Sequence, residues 1–298
     1  MSAYWGIDLG GTKIEGVVLS AAGAAEPLCR IRVATEAEQG YGHIVGQMHR
    51  LVEQMKAQTG LLPQAIGIGT PGVLDPQTQT LKNSNTLCLN GQALKRDLDQ
   101  TLGVPVELAN DANCFALAEA RLGAGQGAET VFGIIMGTGV GGGVVVRERV
   151  LNGCQGIAGE WGHNVLDAGG PECYCGKRGC VEKFLAGPAL QEYYTSLSGQ
   201  SCPLPEIVQR YERGSDAHAE ATVQRMIAYF GRAIAYLINI LDPHVIVIGG
   251  GVSNVDLLYS EGVQAAKPYV FNNRLETRVV KNQLGDSAGV FGAAMLVA

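Results

Sequence analysis

A weak internal repeat restricts the fold of this chain more than any other feature of its sequence. An apolar, β-prone segment, a glycine-rich turn and a second apolar segment occur near residues 4–19 and again near 131–146. A glycine turn between two such segments is typical of a β-hairpin, and self-similarity within a chain indicates repeated structural units. The repeat therefore predicts two similar α/β lobes, each offering one glycine turn to a shared cleft.

The rest of the sequence alternates helical and strand-like patterns, as an α/β protein requires. Apolar spacing predicts helices over 41–59, 112–122, 219–241 and 287–297, and short strands at 65–69, 103–109 and 245–248. The 298 residues are enough for two cores. We expect a small lobe over 1–117, a large lobe over 118–285, and a C-terminal helix over 286–298 that packs back on the small lobe.

The glycine-rich loops are predicted to bind phosphate. Segments starting at Gly67 and Gly137 match GxGxxG, but a dinucleotide fingerprint must open a helix after a strand. Pro76 follows the first segment with no helical pattern between, three valines follow the second, and no Walker loop occurs. Tight hairpin turns favour glycine for their geometry alone, whereas successive N–H groups in such a turn also bind anions. Two matching loops and a third favour the phosphate interpretation.

The predicted nucleotide site has donors and one acid. Thr12 and Thr138 supply hydroxyl donors at matching places in the two loops. Asp8, at the end of the first strand, would contact a hydrated Mg²⁺ beside the phosphates. The residues are Asp8, Gly10, Gly11, Thr12, Lys13, Gly137, Thr138, Gly139, Gly249, Gly250 and Gly251.

A cluster of cysteines predicts a metal centre. The chain has eight cysteines, of which three lie within eight residues at Cys173, Cys175 and Cys180, with His163 upstream. Three thiolates and one imidazole form the ligand set of a closed structural zinc site. The alternative is three buried thiols in a glycine-rich loop. Four protein ligands leave no open position, so the zinc would fix a loop rather than take part in chemistry.

Several motifs together resemble the ROK family of repressors, open reading frames and sugar kinases. They are the segments 8–13, 159–163 and 173–180, and the resemblance covers the whole chain in the family's order. The segments 110–114, 239–243 and 285–287 are most similar to the bacterial fructokinase and mannokinase branch. The resemblance implies a two-lobe actin-like ATPase (ribonuclease H-like) fold, with zinc in an inserted loop.

The resemblance also assigns roles to polar residues. Asp111 lies where a strand ends and a helix begins, so its ordinary role would be the helix N-cap, whereas the family uses this position as the general base. The implied sugar-binding residues are Asn83, Asn85, Asn110, Glu160, His163 and Glu182. Asparagine is common in loops for its turn chemistry, and both glutamates have an ordinary solvated role as their alternative.

The function expected from this resemblance is ATP-dependent phosphorylation of a hexose at its 6-hydroxyl, with fructose preferred and mannose or glucose as further substrates. Leu87 and Leu89 would fill the space that an N-acetyl group needs, if they point inward. The alternatives are an N-acetyl-D-glucosamine kinase and a sugar-responsive repressor. The repressor is disfavoured because the first motif begins at Asp8, which leaves no room for a winged helix.

Charge and segment composition set expectations about partners and location. The net charge of −6 gives no basic field for nucleic acid or an anionic membrane. The first residues lack a secretory signal, and no apolar run is long enough to span a bilayer. We expect a cytoplasmic protein that binds a sugar and ATP with Mg²⁺, and by analogy with the family a homodimer.

Overall fold

The computed structural model describes residues 3–21, 24 and 26–298. Its strands are β1 (Tyr4–Leu9), β2 (Lys13–Leu19), β3 (Cys29–Ala34), β4 (Ile66–Thr70), β5 (Val73–Leu74), β6 (Leu81–Lys82), β7 (Val106–Asn110), β8 (Thr130–Met136), β9 (Val140–Val146), β10 (Arg149–Val150), β11 (Val245–Gly249) and β12 (Arg278–Lys281). Its α-helices are α1 (Tyr41–Thr59), α2 (Leu94–Leu102), α3 (Asp111–Leu122), α4 (Glu182–Leu185), α5 (Gly187–Ser198), α6 (Leu204–Glu212), α7 (Ala217–Leu241), α8 (Glu261–Ala266) and α9 (Ala288–Met295).

The chain forms two compact units, and both are α/β. The first unit comprises Met1–Gly127, Gly143–Ala158 and Leu284–Ala298, and the second comprises Ala128–Gly142 and Gly159–Gln283. The boundary between the units falls within β9. The predicted α/β class is therefore confirmed.

The first unit is built on a five-stranded sheet in the order β3-β2-β1-β4-β7. β1 and β2 are antiparallel and form the first predicted hairpin, whereas β1, β4 and β7 run parallel. Trp5 and Ile7 of β1 are fully buried, as are Met48, Leu51 and Met55 of α1, and all belong to one hydrophobic core. Because α1 presents these side chains at helical spacing, it covers one face of the sheet.

Glycines in the sheet make room for the C-terminal helix α9. A Cβ atom at Gly6 would lie 2.5 Å from the main chain of α9, and one at Gly67 would lie 1.8 Å from the carbonyl oxygen of Ala293. No real Cβ atom approaches other atoms so closely. These positions therefore require glycine because a helix packs directly on the strand backbone.

The second five-stranded sheet has the order β10-β9-β8-β11-β12. β11 is fully buried and runs parallel to both β8 and β12. A strand buried on both faces is typically a continuous apolar run, and β11 reads Val-Ile-Val-Ile-Gly. The long helix α7 precedes β11 in the chain, and α8 lies between the parallel strands β11 and β12.

Two glycine segments differ from their predicted structures. The sequence predicts a glycine turn over 137–143, but β9 begins at Val140, so Gly141–Gly143 lie in a strand. A Cβ atom at Gly142 would lie 2.7 Å from Cδ1 of Trp161, which explains this glycine by packing. The sequence also predicts a helix opening at Gly249–Gly251, but the chain forms a short 3₁₀ turn there. Ser253 closes that turn by donating both its N–H and its hydroxyl to the carbonyl oxygen of Gly250.

In the part of the chain that the structure describes, none of the helices combines the length and the hydropathy of a bilayer-spanning helix.

Candidate active site

Two aspartates lie at the carboxyl ends of parallel strands in the first unit. Asp8 is in β1, and Asp111 directly follows β7 as the first residue of α3. Glycines enclose the Asp8 carboxylate: a Cβ atom at Gly69 would lie 3.2 Å from its Oδ1, and one at Gly289 would lie 3.3 Å from its Oδ2. The carboxyl edge of an α/β sheet is the usual place for a ligand site.

The electrostatic surroundings of these aspartates favour a bound cation. Burial first, and then the carboxylates of Asp111 and Glu15, raise the pKa of Asp8 to about 6, while Lys13 opposes them. Asp111 has an exposed surface, yet desolvation by the surrounding protein atoms raises its pKa as well, against the opposing hydrogen bond from Ala112 N–H. Desolvation is the main cause for both carboxylates, and carboxyl groups with raised pKa values are common at functional sites.

The N-cap of α3 is Asn110 and not Asp111. The side-chain Oδ1 of Asn110 accepts a hydrogen bond from the backbone N–H of Asn113 at 2.8 Å. Asp111 is the first helical residue, and its Oδ1 accepts from the N–H of Ala112 at 2.8 Å. The ordinary role considered for Asp111 in the sequence is therefore filled by its neighbour.

The first glycine turn is a tight hairpin connection with an additional anchor. The N–H of Gly10 donates to the carbonyl oxygen of Lys13 at 3.0 Å. Thr35 binds the turn from β3's end, since its hydroxyl donates to Gly10 and its N–H donates to Thr12. Gly11, Thr12 and Lys13 are exposed, so their polar groups lie at the surface of the first unit.

The predicted sugar loop is held together by Asn90, which lies in the same loop but was not assigned to the sugar. Asn83 and Asn85 are both exposed. Between them, Ser84 is clamped by Asn90, whose Oδ1 accepts from Ser84 N–H at 2.8 Å and whose Nδ2 donates to Ser84 O at 2.9 Å. The loop is thus fixed with two amide side chains facing solvent.

The leucines of this loop do not have the arrangement that the fructose argument needs. Leu89 is fully buried in the hydrophobic core of the first sheet, whereas Leu87 is 79% exposed. They belong to a 3₁₀ turn, Leu87–Leu89, in which alternate residues do not share a face. The expectation that both leucines fill an N-acetyl pocket is therefore wrong for Leu89.

In the second unit, the structure brings the second and third glycine loops together. A Cβ atom at Gly250 would lie 2.4 Å from the carbonyl oxygen of Met136. The N–H of Gly187, at the start of α5, donates to the carbonyl oxygen of Gly137 at 2.9 Å. Gly137 itself donates to Gly139. Thr138 lies within this turn, next to the N-terminus of a twelve-residue helix, and helix N-termini favour anions.

Glu182 contacts the second glycine loop. Its Oε2 accepts a hydrogen bond from the backbone N–H of Val140 at 2.9 Å. Glu182 is the first residue of α4, and it follows the cysteine segment directly. The structure thus places this residue, which the sequence assigns to the sugar, against a loop that the sequence assigns to the nucleotide.

The four predicted metal ligands of the second unit converge. Ligand atoms of His163, Cys173, Cys175 and Cys180 all lie within 4.8 Å of one another. Cys175 Sγ and Cys180 Sγ are 3.6 Å apart, and Cys173 Sγ is 3.5 Å from Nδ1 of His163. Neighbouring sulfurs around a tetrahedral zinc with bonds of about 2.3 Å lie about 3.8 Å apart. The spacing therefore fits zinc.

A residue missed by the sequence prediction lies over His163. The hydroxyl of Tyr174 is 3.0 Å from Nε2 of His163, and the two rings meet edge to face at 5.1 Å. Tyr174 is 84% exposed. Although most of the side chain is exposed, partial desolvation of its hydroxyl, followed by the charges of Glu182, Cys173, Cys175 and Glu160, raises its pKa to about 12. The phenol therefore shares its surroundings with three of the predicted sugar ligands. The sequence could have indicated Tyr174 by its position between two predicted metal ligands, Cys173 and Cys175.

The fold and sequence match known proteins over nearly the whole chain. The ROK family profile matches residues 4–298. An N-acetyl-D-glucosamine kinase of Aliivibrio salmonicida is 35% identical over 98% of this chain and 99% of the relative. The crystal structure of a ROK hexokinase from Thermus thermophilus is 35% identical, covers 98% of this chain and 97% of that one, and superposes with a TM-score of 0.88.

A second solved structure resembles the chain in the same way. It is a ROK family glucokinase from Streptomyces griseus in complex with glucose and AMPPNP, 29% identical over 99% of both chains, with a TM-score of 0.78. The chain belongs to the ROK family and has the actin-like ATPase fold of that family's sugar kinases.

Proposed function

We propose that this protein is an ATP-dependent kinase of N-acetyl-D-glucosamine that phosphorylates the 6-hydroxyl. ATP-dependent sugar kinase activity is supported by the family membership and by a neighbour that binds glucose and AMPPNP. The observation that carries the choice of sugar is 35% identity, over 98% of the chain, to an N-acetyl-D-glucosamine kinase. The comparisons thus favour the alternative over the fructose preference expected from the sequence.

In this proposal Asp111 is the general base. The sugar 6-hydroxyl attacks the γ-phosphorus of ATP, its proton passes to the Asp111 carboxylate, and the bond to the leaving ADP oxygen breaks. A pKa raised by desolvation makes a carboxylate a better proton acceptor. Asn110 fixes the first turn of α3 and with it the position of Asp111.

Mg²⁺ fits beside Asp8. The carboxylate is largely buried near the carboxylates of Asp111 and Glu15, and burial together with these charges raises its pKa to about 6, although Lys13 lowers it. A bound Mg²⁺ would neutralise charge on the ATP phosphates. Lys13 and the exposed turn Gly10–Thr12 are the further groups of the first unit that we assign to phosphate, and Gly137–Gly139 and Gly249–Gly251 are those of the second.

The metal centre in the second unit is assigned to structural zinc. All four ligands come from one short segment, and the spacing of their donor atoms suits a closed Cys₃His site. The metal would hold the loop between Glu160 and Glu182. We assign both glutamates, together with His163, to hydrogen bonds with sugar hydroxyls.

The positions of the two loop leucines remove the steric reason, expected from the sequence, for excluding an N-acetyl group. Leu89 contributes to the core, and Leu87 is exposed at the surface. The loop that was expected to select fructose therefore presents the exposed amide side chains of Asn83 and Asn85, and not two leucines that fill the space for an N-acetyl group. Both amides can donate to and accept from polar sugar substituents.

The test is kcat/KM for N-acetyl-D-glucosamine, glucose, mannose and fructose at fixed ATP, followed by coupled ADP release. We expect N-acetyl-D-glucosamine to be preferred by at least tenfold. A fructose preference of that size would overturn the choice of sugar and leave the kinase assignment in place. No ADP release with any sugar would overturn the kinase assignment itself. The homodimer and the cytoplasmic location stay predictions.

A further inference from the structure

The second glycine loop is held from two sides within the second unit. On one side, α5 donates from Gly187 N–H to the carbonyl oxygen of Gly137 at 2.9 Å. On the other side, Glu182 Oε2 accepts from Val140 N–H at 2.9 Å. The loop and the carboxylate are 42 residues apart in sequence, so this contact depends on the fold.

The loop and Glu182 fit closely together at Gly139. A Cβ atom at Gly139 would lie 2.6 Å from Glu182 Oε2, whereas nothing lies within 4 Å of a Cβ atom at Gly137. Gly139 does not have a positive φ, so backbone conformation does not require glycine there. A methyl group there would instead displace the Glu182 carboxylate, which is the end of a flexible side chain.

The helix that carries Glu182 is firmly anchored. Phe184 of α4 stacks on Tyr229 of α7 with ring centroids 4.0 Å apart, and the guanidinium of Arg225 lies over the Phe184 ring at 4.7 Å. The Tyr229 hydroxyl donates to Asp167 at 2.6 Å. Because α4 is fixed at its buried side, a short carboxylate arm from its first residue can determine where the loop lies.

The geometry points to Glu182 as a positioning residue for the second glycine loop, in addition to the sugar-binding role proposed above. One carboxylate oxygen holds Val140 N–H, and the other accepts from a sugar hydroxyl. The same side chain then links the two substrates, so that sugar and nucleotide each strengthen binding of the other. The sugar half of this inference rests on the proposed function, whereas the loop half does not.

The test is calorimetric titration of Mg·AMPPNP into the sugar-free protein. We expect Glu182→Ala to weaken binding about tenfold, the size expected when a hydrogen bond to a charged group is lost. Glu182→Gln keeps an acceptor for Val140 N–H and should stay within about threefold of the wild type. The control is Glu192→Gln, a 70% exposed carboxylate that pairs with Lys183, and it should bind as the wild type does.

A double-mutant cycle checks that the loop contact is responsible. Gly139→Ala should weaken nucleotide binding in the wild type, because the methyl group displaces the carboxylate, but add little in the Glu182→Ala background. Wild-type affinity in Glu182→Ala, or fully additive losses in the cycle, would overturn the inference. Thermal unfolding of each variant separates these effects from misfolding. Since no sugar is present, the outcome is independent of which sugar the protein phosphorylates.

Discussion

At the residue scale, Asn110 and Asp111 have different tasks although they are adjacent. Asp111→Asn should lower kcat by about 10²–10⁴-fold, because an amide cannot accept the proton, and should leave sugar affinity within about tenfold. Asn110→Ala removes the N-cap of α3 and should cost roughly 0.5–2 kcal/mol of stability. Steady-state kinetics and chemical denaturation of both variants measure the two effects.

These two variants control for each other. Asp111→Asn should unfold at the wild-type denaturant concentration, since the cap hydrogen bond from Asn113 N–H to Asn110 is retained. If Asp111→Asn kept most of the wild-type kcat, the general base would lie elsewhere. A large loss of stability in Asp111→Asn would instead indicate a structural role.

The raised pKa of Asp8 makes stability depend on pH. An aspartate ordinarily titrates near 3.8, but Asp8 titrates near 6 in the folded protein. Between these values the folded state binds more protons than the unfolded state, so this residue lowers stability as pH rises from about 4 to about 6. Without Mg²⁺, Asp8→Asn should therefore raise Tm at pH 7.5, by about 2 °C or more, and by less at pH 4.5.

Magnesium provides the complementary measurement. It should raise the Tm of the wild type at pH 7.5 and have little effect on Asp8→Asn, because a cation that binds only the folded state stabilises it. Equal Tm values for the two proteins at both pH values would contradict the assigned environment of Asp8.

At the element scale, the packing of α9 on the first sheet can be tested with a matched pair of glycines. Gly67→Ala would place a methyl group 1.8 Å from Ala293 O, and it should cost about 1–3 kcal/mol or more as the helix is pushed away. Gly46 lies inside α1 with nothing within 4 Å of its would-be Cβ atom, so Gly46→Ala should stabilise by about 0.5–1 kcal/mol.

Urea unfolding of the two variants gives both values. The prediction would be contradicted if Gly67→Ala were as stable as the wild type, which would mean that α9 moves without cost. The opposite signs expected for the same chemical change come entirely from the surroundings of each glycine.

Elements with a long, regular pattern could be predicted from the sequence. The helix over 41–59 coincides with α1, and the strand at 245–248 differs from β11 by one residue. The strand β3 was missed, although Ile31 and Val33 alternate with arginines there, because a six-residue pattern without flanking signals is weak. The helices α2 and α6 were also missed, because nine residues form too few turns for a clear helical pattern.

The candidate site could likewise be predicted from the sequence only in part. The cysteine and histidine ligands could be found because metal binding dictates residue types and spacing. The contact of Glu182 with Val140 could not, since it joins elements whose approach depends on packing around α4 and α7. Leu89 was misjudged because a 3₁₀ turn sends it into the core, and the sequence carries no signal that distinguishes this turn from a short strand.

At the scale of the whole molecule, metal content and stability should change together. We expect about one zinc per chain in the purified protein, because the four ligands already lie at suitable distances. A structural site binds metal only when folded, so the binding free energy adds to folding stability. Cys175→Ser should therefore lower both zinc content and Tm, and a strong chelator should lower the Tm of the wild type toward that of the variant.

The matched control for this last prediction is Cys154→Ser. Cys154 is exposed like Cys175, but it lies outside the four-residue cluster, so its replacement should leave zinc content and Tm unchanged. Metal analysis of the three proteins should be combined with thermal unfolding, with and without chelator. Because neither measurement depends on turnover, the result stands apart from the identity of the sugar. If the purified wild type contained no zinc and its Tm did not change when chelator was added, the cysteines would be only buried thiols.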